Sequence, residues 1–317
     1  MLTRKIVFIS VQPDVPYFHW QVEVMIHNFM KAGINPNWIE VIWAHDGEPS
    51  KTVLDMAQKY PYVRFFFYKK RIWENNGYIP ILRPDCLEQH FEAYPELSNE
   101  AVFYHDSDII FKELPDFEKF LDDEYWYVSD TISYIGANYI RSKADELFLE
   151  MCRIADIDPD LVDSNEENSG GAQYLMKGVT AEYWGYVKKT ALDLYTYMAN
   201  REAEERTTLT EEELKTYNPV QKWCSDMWAV LWGAWRAGAK TRIDDELGFS
   251  WGTSSIQEYE KHKIMHNAGV TSNEGGRLFY KGEFISRDPF SADLSTVDPN
   301  TASSKYVEAI LYAKEKR

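Results

Sequence analysis

Apolar runs and helix-like segments alternate through the first hundred residues, and that alternation constrains the fold more than any other feature. Arg4–Val11, Ile39–His45 and Tyr62–Tyr68 each read as a buried strand. Between them, Trp20–Ala32, ended by Gly33, and Lys51–Lys59 carry helical patterning. Pro84–Ala93 predicts a further short helix and Ala101–His105 a fourth strand. Strands and helices in this order predict a layered α/β fold with a mostly parallel, Rossmann-like central sheet and flanking helices. Ligands of such sheets bind beyond the carboxyl ends of the strands. Here those ends carry Gln12-Pro13-Asp14, His45-Asp46-Gly47 and Asp106-Ser107-Asp108, so polar residues collect on one edge.

The second half is less regular. The sequence predicts a helix over Asn138–Ala155, a polar loop over Asp156–Gly171, a short strand at Ala172–Met176 and a helix over Ala181–Asn200. That helix runs into a charged stretch, Arg201–Lys215, expected to be a solvated helical excursion. Asn218-Pro219 has the form of a helix start, with Asn as N-cap and Pro at the first position; the helix is expected to run to about Ala237 and stop at Gly238. Short strands and turns follow to about Asp288, then a final helix near Ser303–Lys316. No repeat or low-complexity linker divides the chain, so residues 1–317 are expected to form one domain with two halves, 1–115 and 116–317.

The net charge of −17 argues against broad, non-specific nucleic-acid binding, which needs a basic footprint. Cys86, Cys152 and Cys224 are odd in number, widely spaced and free of any CxxC pair, which points to a reducing compartment. Neither a signal peptide nor a membrane-spanning run is legible, so a soluble cytoplasmic protein is expected.

The sharpest chemical feature is Tyr104-His105-Asp106-Ser107-Asp108-Ile109-Ile110. An apolar strand ends in two carboxylates at i and i+2, then apolar residues resume. In an extended chain these two point to the same side, where they repel unless a cation sits between them. Hard divalent ions such as Mg²⁺ and Mn²⁺ favour such oxygens and keep positions open for phosphates. His105 should point the opposite way and be structural. Asp226 lies in a Trp-rich helix, where an isolated carboxylate is expensive; it serves either a substrate or a structural salt bridge. The tryptophans at 223, 228, 232 and 235 are expected to be mainly core. Gln173 either bonds a ligand or is an ordinary strand residue. Asp14 and Asp46 are, as bare residues, turn formers. Lys69-Lys70-Arg71 and Arg83 form the one basic cluster of the first half, either a solvated loop or a phosphate contact.

The strand–DxD–strand unit resembles that of GT-A glycosyltransferases. Three further segments agree: Asn168-Ser169-Gly170-Gly171-Ala172-Gln173, Trp223-Cys224-Ser225-Asp226-Met227-Trp228 and His266-Asn267-Ala268-Gly269. The likeness covers roughly Ile6 to Gly282. It is nearest to virus- and bacteriophage-encoded transferases and, more distantly, to plant hydroxyproline arabinosyltransferases and peptidyl-serine galactosyltransferases. The resemblance implies that residues 1–115 bind a nucleotide-sugar and 116–317 shape the acceptor site. It implies a hexosyl- or pentosyltransferase in which Asp106, Asp108 and His266 bind Mn²⁺ or Mg²⁺. The donor, expected to be a UDP-sugar, would meet Gln12, Asp14, Asp46, Arg83, Asp106, Ser107, Gly170, Gly171 and Lys281; Asp226 and Gln173 would act at the reaction centre.

The acceptor differs with the relative. The viral likeness implies DNA modification at a hydroxymethylated base, held by Lys69, Lys70, Arg71 and Arg83; the plant likeness implies peptide hydroxyls; glycans are the third class. Two other functions compete. A nucleotidyltransferase of the same fold would carry a Gly-rich basic loop after the first strand, where this chain has Val11-Gln12-Pro13-Asp14-Val15-Pro16. A non-catalytic sugar- or metal-binding protein would not need the acidic pair, the late histidine and Asp226 together.

Overall fold

The computed structural model describes residues 2–72, 77–272 and 276–317. Among the described residues the strands are β1 (Ile6–Pro13), β2 (Ile39–His45), β3 (Arg64–Lys69), β4 (Ala101–Tyr104), β5 (Ile109–Phe111), β6 (Tyr125–Asp130), β7 (Gly170–Met176), β8 (Lys240–Ile243), β9 (Phe249–Trp251) and β10 (Ile264–His266). Seven of them form the central sheet, in the order β3-β2-β1-β4-β7-β6-β8. The run β3-β2-β1-β4 is parallel throughout; β7 is antiparallel to both β4 and β6, and β8 runs parallel to β6. The expected α/β architecture is thus the one observed.

β1 shows why the sheet sits where it does. All eight of its residues are buried. Val7, Ile9 and Val11 belong to the apolar cluster on one face, Ile6 and Phe8 to the cluster on the other. A strand apolar on both sides is stable only when helices cover both faces. One cover includes α1 (Pro16–Lys31) and α2 (Lys51–Lys59), through Val22, Met25, Ile26, Phe29, Val53 and Met56. The other includes α3 (Leu82–Ala93).

The remaining helices are α4 (Ile132–Ile135), α5 (Ala137–Arg141), α6 (Asp145–Ile154), α7 (Pro159–Ser164), α8 (Ala181–Thr208), α9 (Glu211–Thr216), α10 (Ser225–Arg236), α11 (Ile256–Lys261) and α12 (Ala302–Lys316). α8 and α10 complete the second cover through Trp184, Val187, Ala191, Ala229 and Val230. α12 packs Tyr306, Val307 and Ile310 against Trp20 and Val24 of α1. No described helix is long and apolar enough to cross a membrane.

Four local expectations change. The helix expected over Asn138–Ala155 is broken: Ala144 is extended (φ −170°, ψ 141°), and Asp145 and Glu146 open α6 with the acidic first turn that suits a helix start. The polar loop holds α7, capped by the Asp158 side chain on the Asp160 N–H. The helix expected from Asn218-Pro219 begins only at Ser225, because a 3₁₀ turn, Lys222–Cys224, intervenes and Tyr139 Oη takes the Gln221 N–H (3.1 Å). β6 had no sequence counterpart.

β6 and β7 meet at an irregularity. Val128 lies opposite Tyr174, but Ser129 lies opposite Gly171, so Ala172 and Gln173 bulge from the ladder. Ala172 adopts φ +66°, unusual for a residue with a side chain. The bulge requires close approach at Gly170, where a Cβ would collide with Val128 and stand 2.6 Å from Ser129 O. We predict that Gly170→Ala lowers stability by roughly 1–3 kcal/mol, the usual cost of overpacking, read as a lower urea midpoint. An unchanged midpoint would show that the strands are free to separate.

Candidate metal centre

β4 ends at Tyr104, and the chain then separates its side chains. His105 turns into the core, packs against Phe29 at a ring distance of 5.0 Å, and is bonded through Nδ1 to Asp106 O (2.9 Å). Burial lowers its pKa to about 4, so it is a neutral structural residue, as expected. Asp106 and Asp108 turn to the carboxyl edge. β5 then leaves the main sheet and joins a three-stranded one, β5-β10-β9. In its antiparallel ladder with β10, His266 lies opposite Ile109, and Asn267 N–H donates to Asp108 O (2.9 Å). This register brings a histidine 158 residues downstream beside the acidic pair.

His266 Nε2 lies 3.4 Å from Asp106 Oδ2 and 3.3 Å from Asp108 Oδ1. One ligand atom from each of the three lies within 4.8 Å of the others. Donors bound at about 2.1 Å to one small cation stand roughly 3 Å apart, so the set fits Mg²⁺ or Mn²⁺ with little movement. Two side-chain cations complete the surroundings. Lys281 is ion-paired with Asp108 Oδ2. Arg83 bridges Asp106 Oδ1 (3.0 Å) and Asp226 Oδ2 (3.2 Å). Burial alone would raise the Asp106 and Asp108 pKa values, but Arg83 and His266 at the first, and Lys281 and His266 at the second, hold them down. Burial alone would lower that of His266, but the two carboxylates lift it to about 9.

Gln173 is buried behind this centre, and not in the cavity. Its amide meets His266 Nδ1 at 3.3 Å and Ser129 Oγ at 2.7 Å; Ser129 Oγ also lies 2.6 Å from Leu247 O. Ser129 has one proton for two acceptors if Gln173 presents its carbonyl there. Turning the amide over removes the conflict: Ser129 donates to Leu247 and accepts from Gln173, and Gln173 Oε1 accepts from His266 Nδ1–H. That tautomer leaves Nε2 free for a cation. The Trp251 ring stacks on the other side of His266 (5.9 Å, 15°).

Asp226 is the second residue of α10, nearer the helix start than the sequence suggested. Tyr78 Oη donates to its Oδ1 (3.0 Å) and accepts its backbone N–H (2.8 Å). Burial raises its pKa, and Arg83 opposes the shift. Asp226 is thus salt-bridged to Arg83 and lines a cavity.

That cavity encloses about 520 Å³. Asp106, Ser107, Asp108, Arg83, Asp226, His266 and Lys281 all line it. Five expected donor contacts do not. Gln12 is 1% exposed and donates to Ile42 O (2.9 Å). Asp14 is taken up by Ser50 N–H (2.6 Å), Ser50 Oγ (2.7 Å) and His19 Nε2 (2.7 Å). Asp46 projects outward to Lys70 (3.0 Å). Gly170 and Gly171 serve packing, the latter because a Cβ would stand 2.7 Å from Met227 Cε and from Tyr174 Oη.

Nor do the expected basic residues form one patch. Lys70 pairs with Asp46, Arg71 with Glu92 (2.7 Å), and Arg83 lies inside the cavity. Sequence reasoning missed Tyr78, Tyr174 and Trp251, and placed Trp223 in the core. Trp228, Trp232 and Trp235 are buried as expected, but Trp223 is 53% exposed at the cavity wall. Its place three residues before Asp226, ahead of the first helical turn, is the signal that would have found it.

No protein-family model matches this sequence, and no curated protein matches it. Its fold is similar to the apo structure of the bifunctional glycosyltransferase WbbM, with a TM-score of 0.50 and 10% identity over 98% of this chain and 50% of that one. The chain thus spans half the length of that match. An active-site mutant of LgtC gives a TM-score of 0.42 and 10% identity, covering 96% of this chain and 95% of that one. The apo form of mouse xyloside xylosyltransferase 1 gives 0.40 and 7%, covering 83% and 98%.

If Asp106, Asp108 and His266 hold a divalent cation and Gln173 orients the His266 ring, Gln173→Ala should weaken binding of Mn²⁺, taken as the probe, by roughly 10- to 100-fold. Gln173→Glu, which still accepts from Nδ1–H, should recover most of it. Calorimetric titration with Mn²⁺ measures both; an unweakened Gln173→Ala would detach the residue from the centre.

Proposed function

We propose that this protein is a metal-dependent glycosyltransferase that moves a sugar from a nucleotide-sugar, a UDP-sugar in the first instance, to an acceptor hydroxyl. The observation that carries this reading is the meeting of Asp106, Asp108 and His266 at the ligand edge of the sheet, in a fold similar to that of a glycosyltransferase structure. A divalent cation held by these three residues would offset the negative charge that builds on a departing diphosphate.

The chain's own residues supply the rest. Lys281 brings a second positive charge to the same side of the cavity, beside Asp108. Ala268 and Gly269 are small residues in the wall next to His266 and let a phosphate approach the backbone. Arg83 locks Asp106 and Asp226 in one geometry. Tyr78 fixes the Asp226 carboxylate from the other side. With its pKa raised by burial, Asp226 is suited to take the acceptor's hydroxyl proton as the new bond forms.

Asp106→Ala, Asp108→Ala and His266→Ala should each abolish Mn²⁺-dependent donor binding, and EDTA should silence the wild-type protein in an assay of nucleoside-diphosphate release. Activity that persists undiminished in EDTA would rule out metal dependence. Asp226→Asn should keep the fold and donor binding but slow transfer on the order of 100-fold, the size of a lost acid–base group. A variant that melts early yet transfers at the wild-type rate would leave Asp226 a structural role only.

A further inference from the structure

The cavity has two unlike sides. On one, Pro13, Tyr17, Gln21 and Lys281 gather at the carboxyl end of β1, next to Asp108. On the other, Trp223, Met227, Tyr174 and Asp226 gather where α10 begins. This second side contains two groups that the donor chemistry above leaves without a purpose.

The first is Trp223. Among the described tryptophans it alone is exposed, and it lines the cavity. It is nonetheless held firmly. Its carbonyl lies 3.3 Å from Tyr78 Oη, and the Tyr78 ring meets the indole edge-on at 5.6 Å and 88°. Tyr78 in turn is stacked on Tyr195 at 4.2 Å. An aromatic face held in one orientation at a cavity wall is a ready surface for an apolar ring face. The second is the Tyr174 hydroxyl. It is buried, lines the same cavity, and finds no hydrogen-bond partner among the described residues. A buried, unmatched hydroxyl calls for a ligand group or a water.

Charge narrows the occupant. Among the described residues, Arg83, His266 and Lys281 are the cationic side chains lining the cavity, and each is already bound to carboxylates. Outside it, Lys70 and Arg71 are paired, and the net charge is −17. Among the described residues that line this side a polyphosphate chain would find no unpaired cation, and the net charge would repel it at longer range. An aromatic face flanked by a carboxylate and an unmatched hydroxyl suits a ring with one apolar C–H face and a rim of hydroxyls.

Resting on the glycosyltransferase reading, we propose that the acceptor is an uncharged sugar residue whose ring seats on Trp223. One of its hydroxyl oxygens bonds to the donor's anomeric carbon. The bond from that carbon to the diphosphate oxygen breaks, and the electron pair leaves with the diphosphate. The hydroxyl proton passes to the Asp226 carboxylate, which returns it to solvent. Trp223 is here a binding residue that sets acceptor class.

The test follows nucleoside-diphosphate release from UDP-sugars with Mn²⁺, in water and with added acceptors. The acceptors are lactose, cellobiose and maltose, a 5-hydroxymethylcytosine oligodeoxynucleotide, and a peptide bearing serine and hydroxyproline. At least one disaccharide should accelerate release above the rate in water. Trp223→Ala should raise the KM for that disaccharide by roughly tenfold, the size of one lost aromatic contact, with far less change in the donor KM. Trp223→Phe should recover part of the loss. Acceleration by the oligonucleotide or the peptide alone would overturn the assignment. So would release into water that no sugar accelerates, or an acceptor KM indifferent to Trp223→Ala. Absence of release under every condition would instead overturn the glycosyltransferase reading beneath it.

Discussion

Two carboxylates held close together in a water-poor site need positive charge, and much of this structure is arranged to supply it. Asp106 and Asp108 leave β4 on the same side of the chain, where their mutual repulsion would destabilise the fold if nothing answered it. The answers come from three distant parts of the sequence: Arg83 at the start of α3, His266 at the end of β10, and Lys281 beyond it. Each is brought in by a different element, so the acidic pair ties the first half of the chain to the last third. The small sheet β5-β10-β9 begins immediately after Asp108 and sets His266 beside the pair.

Around that centre the protein builds supporting contacts. Gln173 and Trp251 hold the His266 ring from behind and from one face. Tyr78 and Arg83 hold Asp226. The bulge at Ala172–Gln173 aims Gln173 inward, and its unusual backbone lies where strain is commonly found, beside a site whose geometry must be fixed. The two sides of the cavity differ in chemistry: Lys281, Ala268 and Gly269 line one, and Trp223, Tyr174 and Asp226 the other.

Much of this was legible in the sequence, and the failures have physical causes. The bounds of β2 and α2 match because long apolar runs and a Ser50 cap are local signals. Asp106 and Asp108 were found because i, i+2 carboxylates at a strand end carry their own geometry, whereas His266 came only from the likeness of His266-Asn267-Ala268-Gly269 to the late segment of GT-A glycosyltransferases. Asp14 and Asp46 also end strands, but a strand end does not say which partner captures the carboxylate; Ser50 and His19 take one, Lys70 the other. β6 was invisible because Tyr125–Asp130 is short and ends in polar residues. Trp223 was misplaced because Pro219 mimics a helix start, which put the indole inside a helix that begins only two residues later.

The most direct test is Mn²⁺ binding followed by electron paramagnetic resonance, with and without UDP. The account predicts one site per chain that tightens by roughly tenfold when the nucleotide is present, since both would share one coordination shell. Mn²⁺ binding that UDP leaves unchanged, or that survives with Asp106 and Asp108 both replaced by alanine, would contradict it.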